Sequence, residues 1–141
     1  MAQYTLKSIP TASLPIPENN LQALPAYPEN LSETSVHVLV RLYTQYTTLL
    51  SGSTYQLGIL EANHASKKNE YEKAVTLRFV HDSSKSTTER KERAKASKAV
   101  CAIAEEVSIL QQDIFVVRSL IEGYKAYIFS IKTEIERRRN E

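Results

Sequence analysis

The sequence is poor in the residues that build turn-rich or cross-linked folds. Its 141 residues include no tryptophan, one cysteine and three glycines. So few glycines argue against a β-rich fold, because glycine supplies the positive φ angles that tight turns need. The single cysteine, Cys101, excludes an intrachain disulfide, and its place in an apolar run predicts a small buried side chain.

Long apolar segments are lacking as well. No apolar run approaches the roughly 20 residues that cross a membrane, and the N-terminus lacks the basic and apolar segments of a signal peptide. We therefore expect a cytoplasmic protein that makes no membrane contact.

The residue patterns that support catalysis or metal binding are also missing. None of the three histidines, His37, His64 and His81, has a metal-ligand partner at helical spacing, and there is no His/Cys cluster. The glycines are scattered and form no phosphate-binding loop. We predict that the chain is not an enzyme and binds no metal and no cofactor.

Proline is confined to the first 32 residues, which hold all five prolines of the chain. Because proline fixes φ and removes a hydrogen-bond donor, residues 1–32 are predicted to form an extended arm. The arm contains a repeat, LPIPENNL at 14–21 and LPAYPENL at 24–31. It is either a disordered tail or an arm that docks through apolar side chains. The docking candidates are Leu14, Ile16, Leu21, Leu24, Tyr27 and Leu31.

The remainder, residues 33–141, predicts a helical hairpin. The first helix covers about 33–80 behind an N-cap candidate at Ser32, and its apolar residues recur in steps of three and four. A connection follows at 81–86, and Ser86 with Glu89 three residues on forms a capping-box pattern. This pattern starts a second helix at about 87–139.

The second helix carries the most regular pattern of the chain. Eleven apolar residues alternate in steps of three and four, and β-branched types at both core positions favour three or more packed helices. Further apolar residues outside this seam, such as Phe115 and Phe129, predict burial on a second side. We predict an all-α fold, a long antiparallel helical hairpin or coiled coil that assembles into a homo-oligomer of three or more subunits. The predicted oligomer core is Val100, Ile103, Val107, Leu110, Ile114, Val117, Ile121, Tyr124, Ile128, Ile131 and Ile135.

The start of the second helix is strongly basic. Residues 85–98 hold six basic side chains against two acidic ones. Such a stretch can neutralise nucleic-acid phosphates, and an oligomer would multiply the contacts. The alternative is an ordinary solvated helix face.

The layout of residues 38–137 resembles the UvsY family of phage recombination mediators. A helix that contains RLYTQY at 41–46 ends with KAVTLRFV at 73–80. After a charged connection, a long C-terminal helix carries LQQD at 110–113, and the pattern ends near Ile131.

The resemblance implies a ring-like oligomer that binds single-stranded DNA and helps a RecA-like recombinase to replace single-strand-binding protein. In that family the DNA-contacting basic residues lie at the end of the first long helix, which corresponds here to positions near Lys73 and Arg78. With the basic stretch added, the predicted nucleic-acid-binding residues are Lys73, Arg78, Lys85, Arg90, Lys91, Arg93, Lys95 and Lys98.

A different class of function fits the same layout. A phage scaffold or virion protein would assemble through its helices, dock its arm on a neighbour, contact other virion proteins and reside in the virion rather than in the host cytoplasm. Deleting residues 2–31 should abolish assembly of such a scaffold but leave the ring and DNA binding of a mediator. A third class, a small regulatory inhibitor of another protein, is selected by no feature of the sequence.

Overall fold

The computed structural model describes residues 3–15, 27–82 and 86–141 of the chain. Four of the predicted site residues, Ile16, Leu21, Leu24 and Lys85, lie outside these described ranges. The chain divides into two compact units, of which the first comprises residues 1–57 and 115–141 and the second comprises residues 58–114. The described part is mostly helical, which confirms the predicted all-α character.

The first helix, α1, runs Val36–His81 and contributes to both units. Its start differs from the prediction, since Ser32 lies instead inside a short 3₁₀ helix, Leu31–Glu33, which Asn30 caps. The residue that caps α1 is Ser35, whose hydroxyl accepts the Val38 N–H at 3.4 Å. Serine is a suitable N-cap at position 32 or 35. Thr34 has an extended backbone, which separates the 3₁₀ helix from α1.

The predicted second helix is divided into α2, Thr87–Ala96, and α3, Lys98–Arg139. Ser86 caps α2 as expected, because its hydroxyl accepts the Glu89 N–H at 3.4 Å. The division at Ser97 was not predicted. Ser97 has an extended backbone, and its hydroxyl accepts the Val100 N–H at 3.3 Å, so it ends α2 and caps α3. A serine three residues before the first seam residue is the sequence pattern of such a cap.

The start of the arm is a small hairpin and not a plain extended segment. Strand β1, Gln3–Thr5, pairs antiparallel with β2, Ser13–Pro15. The turn between them is closed by the Ala12 N–H, which donates to the Ile9 carbonyl at 2.9 Å. Pro10 follows Ile9 directly, in the position of a β-turn where its fixed φ is favourable.

Each unit, taken by itself, pairs α1 with the following helices in antiparallel fashion. In the first unit the Tyr46 ring contacts Tyr124 and Tyr127 of α3, and Arg138 reaches back to Leu31 just before α1. In the second unit Lys67 of α1 pairs with Glu106 of α3 at 2.6 Å. In the first unit these contacts join the start of α1 to the last part of α3, whereas in the second unit they join a later part of α1 to the start of α3.

The predicted seam of α3 faces inward within the single chain. Seven of its eleven residues are buried and the other four are half-buried. A role of the seam in subunit contacts stays a prediction, since the chain covers these side chains without a second copy. Phe115 and Phe129, expected to be buried on a second side against the first helix or a neighbouring subunit, are 73 % and 72 % exposed in the single chain, and their burial in an oligomer stays a prediction.

The prediction of a buried cysteine was wrong. Cys101 is exposed, and its thiol donates to the Lys95 carbonyl at 3.3 Å. Cys101 follows the buried Val100 by one residue, which turns it about 100° away from the seam. An apolar neighbourhood in sequence therefore did not mean an apolar neighbourhood in space.

Candidate anion-binding surface

The basic surface of the second unit is formed by the end of α1, by α2 and by the start of α3. Between residues 73 and 98 the chain holds eight basic residues and three acidic ones. We use the name basic surface for Lys73, Arg78, Lys91, Arg93, Lys95 and Lys98, all of them exposed. The sequence of α2, TTERKERAKA, has no apolar side chain larger than alanine, so this helix presents almost its whole length to water.

Arg90 was predicted to bind nucleic acid, but the structure places it in the contact between α2 and α1. Its Nη2 donates to the Phe79 carbonyl at 2.9 Å, and its guanidinium lies 4.4 Å above the Phe79 ring. Phe79 lies in the last turn of α1, where carbonyls lack helical partners and a cation is favourable. Arg90 therefore holds α2 against the end of α1 and is not counted in the basic surface.

Arg93 makes two carboxylate contacts, one within α2 and one to the residue that follows α1. Its Nη2 lies 2.7 Å from Glu89 Oε1, and its Nη1 lies 3.9 Å from Asp82 Oδ1. The Arg93 side chain is nevertheless 62 % exposed. An exposed ion pair contributes little net stability and exchanges readily with another anion.

A cavity of about 250 Å³ lies beside Arg93. Its walls combine the end of α1 with the junction of α2 and α3, and they bring two guanidiniums and one imidazole together. The lining residues are Arg78, His81, Asp82, Arg93, Ala94 and Ser97. The side chains of Arg78 and His81 form no ion pair or hydrogen bond with any residue that the structure describes.

The lysines of the basic surface are equally unengaged. Lys73, Lys91, Lys95 and Lys98 make no ion pair within residues 3–15, 27–82 and 86–141. Lys91 and Lys95 lie four residues apart on α2, so they are neighbours on one helix face. Such a row of unpaired cations offers successive contacts to a polyanion.

Four of the six cavity residues, His81, Asp82, Ala94 and Ser97, were not among the predicted site residues. His81 was considered only as a possible metal ligand, whereas Asp82 and Ser97 were not considered for the site at all. Ser97 could have been found from its serine N-cap pattern, which predicts the break that brings it to the cavity. His81 and Asp82 had no comparable pattern, because only the return of α2 along α1 places Arg93 beside them.

Most of the cations of α3 in the first unit, with the exception of Arg139, contrast with the basic surface because they have partners. Lys125 lies 3.3 Å from Glu122 and Lys132 lies 3.9 Å from Glu136. Glu134 pairs with Arg137 and Arg138 at 2.8 Å, and hydrogen bonds from these two arginines lower the pKa of Glu134 to about 2. Arg138 also donates to the carbonyls of Leu31 and Ser32, at 2.7 and 3.1 Å. These cations serve internal contacts.

Four tyrosines form the centre of the first unit. Tyr27 stacks on Tyr127 with ring centroids 4.0 Å apart and meets Tyr46 edge-on at 6.1 Å. Tyr124 lies 6.2 Å from Tyr46, and its hydroxyl donates to the Pro15 carbonyl. Burial raises the pKa of both Tyr46 and Tyr124 to about 12.

The tyrosine cluster also shows where the described docking candidates of the arm lie. Tyr27 packs in the cluster, Leu14 is 9 % exposed, and Leu31 is half-buried beside Arg138. Leu6, which was not predicted, is fully buried. These contacts lie within one chain, and docking on a neighbouring subunit stays a prediction.

The described part of the chain contains neither a metal-binding cluster nor a membrane-spanning helix. Within it, no three His, Cys, Asp or Glu side chains gather in a way that could hold a metal ion. No helix of the described ranges has both the length and the apolar character needed to cross a membrane.

Comparison with known proteins adds no relative. No protein-family model, no curated protein and no solved structure matches the chain. The resemblance to the UvsY family therefore stays a hypothesis based on layout.

Proposed function

We propose that this chain binds single-stranded nucleic acid through the basic surface and acts as an oligomeric recombination mediator that assists a RecA-like recombinase. The observation that carries the nucleic-acid part is that five of the six basic-surface residues, all except Arg93, make no ion pair within the described residues. Lysine and arginine in such a row bind the phosphate backbone and release its counterions. The mediator part rests on the resemblance to the UvsY family.

The contacts would carry little sequence information. Contacts to the phosphate backbone position a strand without recognising its base sequence. None of the aromatic side chains of the second unit is largely exposed, so none is available to stack on bases. The exposed apolar side chains closest in sequence to the basic surface are Leu77 and Val80, at 60 % and 62 % exposure. They offer apolar contact to unstacked bases but no hydrogen-bond readout.

The test is fluorescence anisotropy of a labelled oligothymidylate measured over a range of salt concentrations. The key variant replaces Lys91, Lys95 and Lys98 by glutamine. The control variant replaces Lys125 and Lys132 of the first unit, also by glutamine. For single strands the slope of log K against log salt is about −0.7 per phosphate contact. The triple variant should therefore reduce the magnitude of the slope by about 2, and the control should leave it unchanged. A flat plot for the unmodified protein would refute the proposal.

The structural alternative has one observation in its favour. Phe115 and Phe129 lie on α3 of the first unit with almost three quarters of each side chain in water. Large exposed aromatics are typical of surfaces that contact another protein. A virion or scaffold component would lose assembly when both are replaced by serine, which light scattering would detect as a drop in mass. A mediator would retain strand binding in the same double variant.

A further inference from the structure

The cavity beside Arg93 differs from the rest of the basic surface in how its charges are arranged. The lysines of α2 are strung along a helix, so each can meet a separate phosphate of a strand. The cavity instead brings Arg78, Arg93 and His81 together around about 250 Å³. Concentrated positive charge in a small volume favours one anion of high charge over several of low charge.

The donor set of the cavity matches a phosphate with three terminal oxygens. Guanidinium forks bind phosphate oxygens in pairs, and Arg78 offers such a fork without any partner among the described residues. The Ser97 hydroxyl accepts the Val100 N–H, so its own hydrogen is available to donate into the cavity. His81 supplies a further N–H from the end of α1.

Among the described residues that line the cavity, Asp82 is the one acidic group. It lies 3.9 Å from Arg93 Nη1, and Glu89 lies 2.7 Å from Nη2 of the same guanidinium. These carboxylates offset the charge of Arg93, which leaves Arg78 as the positive side of the cavity. An anion would therefore bind on the Arg78 side of the cavity, away from Asp82.

We propose that this cavity binds a terminal phosphomonoester, such as the phosphorylated end of a nucleic-acid strand. A terminal phosphate carries a charge of about −1.5 to −2 near pH 7, whereas each internal phosphodiester carries a single charge. The inference rests on the proposed function, because the neighbouring lysines would hold the strand whose end enters the cavity. A free nucleoside monophosphate carries the same phosphomonoester group, and the experiment below distinguishes it from the end of a strand.

The experiment measures the affinity of the full chain for three oligothymidylates of equal length at about 50 mM salt. One carries a 5′-phosphate, one a 3′-phosphate and one hydroxyls at both ends, and thymidine monophosphate serves as competitor. At least one phosphorylated strand should bind roughly tenfold more tightly than the hydroxyl strand, the effect expected of one well-placed charge-assisted contact. Arg78→Gln and His81→Gln should each reduce this ratio, and Arg78→Gln should bring it close to one.

The matched control is Lys98→Gln, which should weaken all three strands by the same factor and preserve the ratio. Circular dichroism of each variant establishes that the helices remain. Equal binding of the three strands would overturn the inference and leave the proposed function standing. Competition by thymidine monophosphate without any preference among the strands would assign the cavity to a free nucleotide and also overturn it. Failure of every strand to bind would overturn both.

Discussion

The two units differ in what their basic side chains contact. Along α3 of the first unit, Lys125, Lys132 and Arg138 each lie beside a glutamate of the same helix. In the second unit Lys91 and Lys95 have no such partner within the described ranges. The comparison shows why counting charges is a poor guide to a binding surface. The net charge of a segment matters less than whether each cation already has a carboxylate.

The units also differ in how they are held together. The first unit has a core of four aromatic rings and a docked hairpin, whereas α2 of the second unit is anchored mainly through Arg90 and the buried Ala94. Burial of large rings contributes more to stability than a single charged contact does. The first unit is therefore suited to stability, and α2 is suited to presenting charge.

The largest expected effect is a loss of stability of the first unit at alkaline pH. The folded-state pKa of Tyr46 and of Tyr124 is raised to about 12 by burial, above the unfolded value of about 10. Their contribution to stability is thus fully present below about pH 10 and is lost as the pH rises toward 12. Urea unfolding at a series of pH values should show this decline. The double variant Tyr46→Phe, Tyr124→Phe should flatten it, and an unchanged decline would contradict the assignment.

A large effect is also expected when the tyrosine cluster is opened at neutral pH. Tyr124 is fully buried and contacts both Tyr46 and the Pro15 carbonyl. Tyr124→Ala should lower the free energy of unfolding by about 3 to 5 kcal/mol, through lost burial and a residual cavity. Tyr124→Phe, which removes only the hydrogen bond, should cost about 1 kcal/mol. A similar loss in both variants, measured by urea denaturation, would show that the ring is not the main contribution.

An intermediate effect is expected at Arg90, and it separates a structural from a binding role. Arg90→Gln removes the bond to the Phe79 carbonyl and the contact with its ring, and should cost about 2 kcal/mol of stability. The salt slope of strand binding should change little, because Arg90 is not part of the basic surface. If Arg90→Gln had normal stability but a smaller salt slope of strand binding, Arg90 would have to be counted among the binding residues.

The smallest effect is expected at the junction of α2 and α3. Ser97→Ala removes the hydroxyl that caps α3 and should cost about 1 kcal/mol. Ser97→Asp restores an N-cap acceptor and should recover most of that loss, although its charge should weaken binding to an anion. Loss of binding in Ser97→Ala without loss of stability would mean that the hydroxyl acts only on the ligand.

Much of the helical layout was predictable from local patterns. The Ser86 cap and the inward orientation of the α3 seam follow from the spacing of residues along one helix. The break at Ser97 was missed because the capping box at Ser86 and the regular seam that begins at Val100 were interpreted as parts of one continuous helix. A serine N-cap can interrupt such a run when the residues before it bury almost nothing.

The site was less predictable than the fold. The lysines were identified because exposed charge is visible in composition, but the role of Arg90 depends on the chain turning back so that α2 meets Phe79. The cavity depends on the same return, since it brings Arg93 to Arg78 and His81 from another helix. Contacts of this kind are set by tertiary packing, which periodicity along the chain does not describe.

The most direct test of the claim that only the second unit binds the strand is lysine footprinting of the complex with oligothymidylate. Acetylation of exposed lysines, read by mass spectrometry with and without oligothymidylate, reports which side chains the strand covers. We expect the strand to protect Lys73, Lys91, Lys95 and Lys98 and to leave the labelling of Lys125 and Lys132 unchanged. Protection confined to Lys125 and Lys132, or equal protection in both units, would contradict that claim.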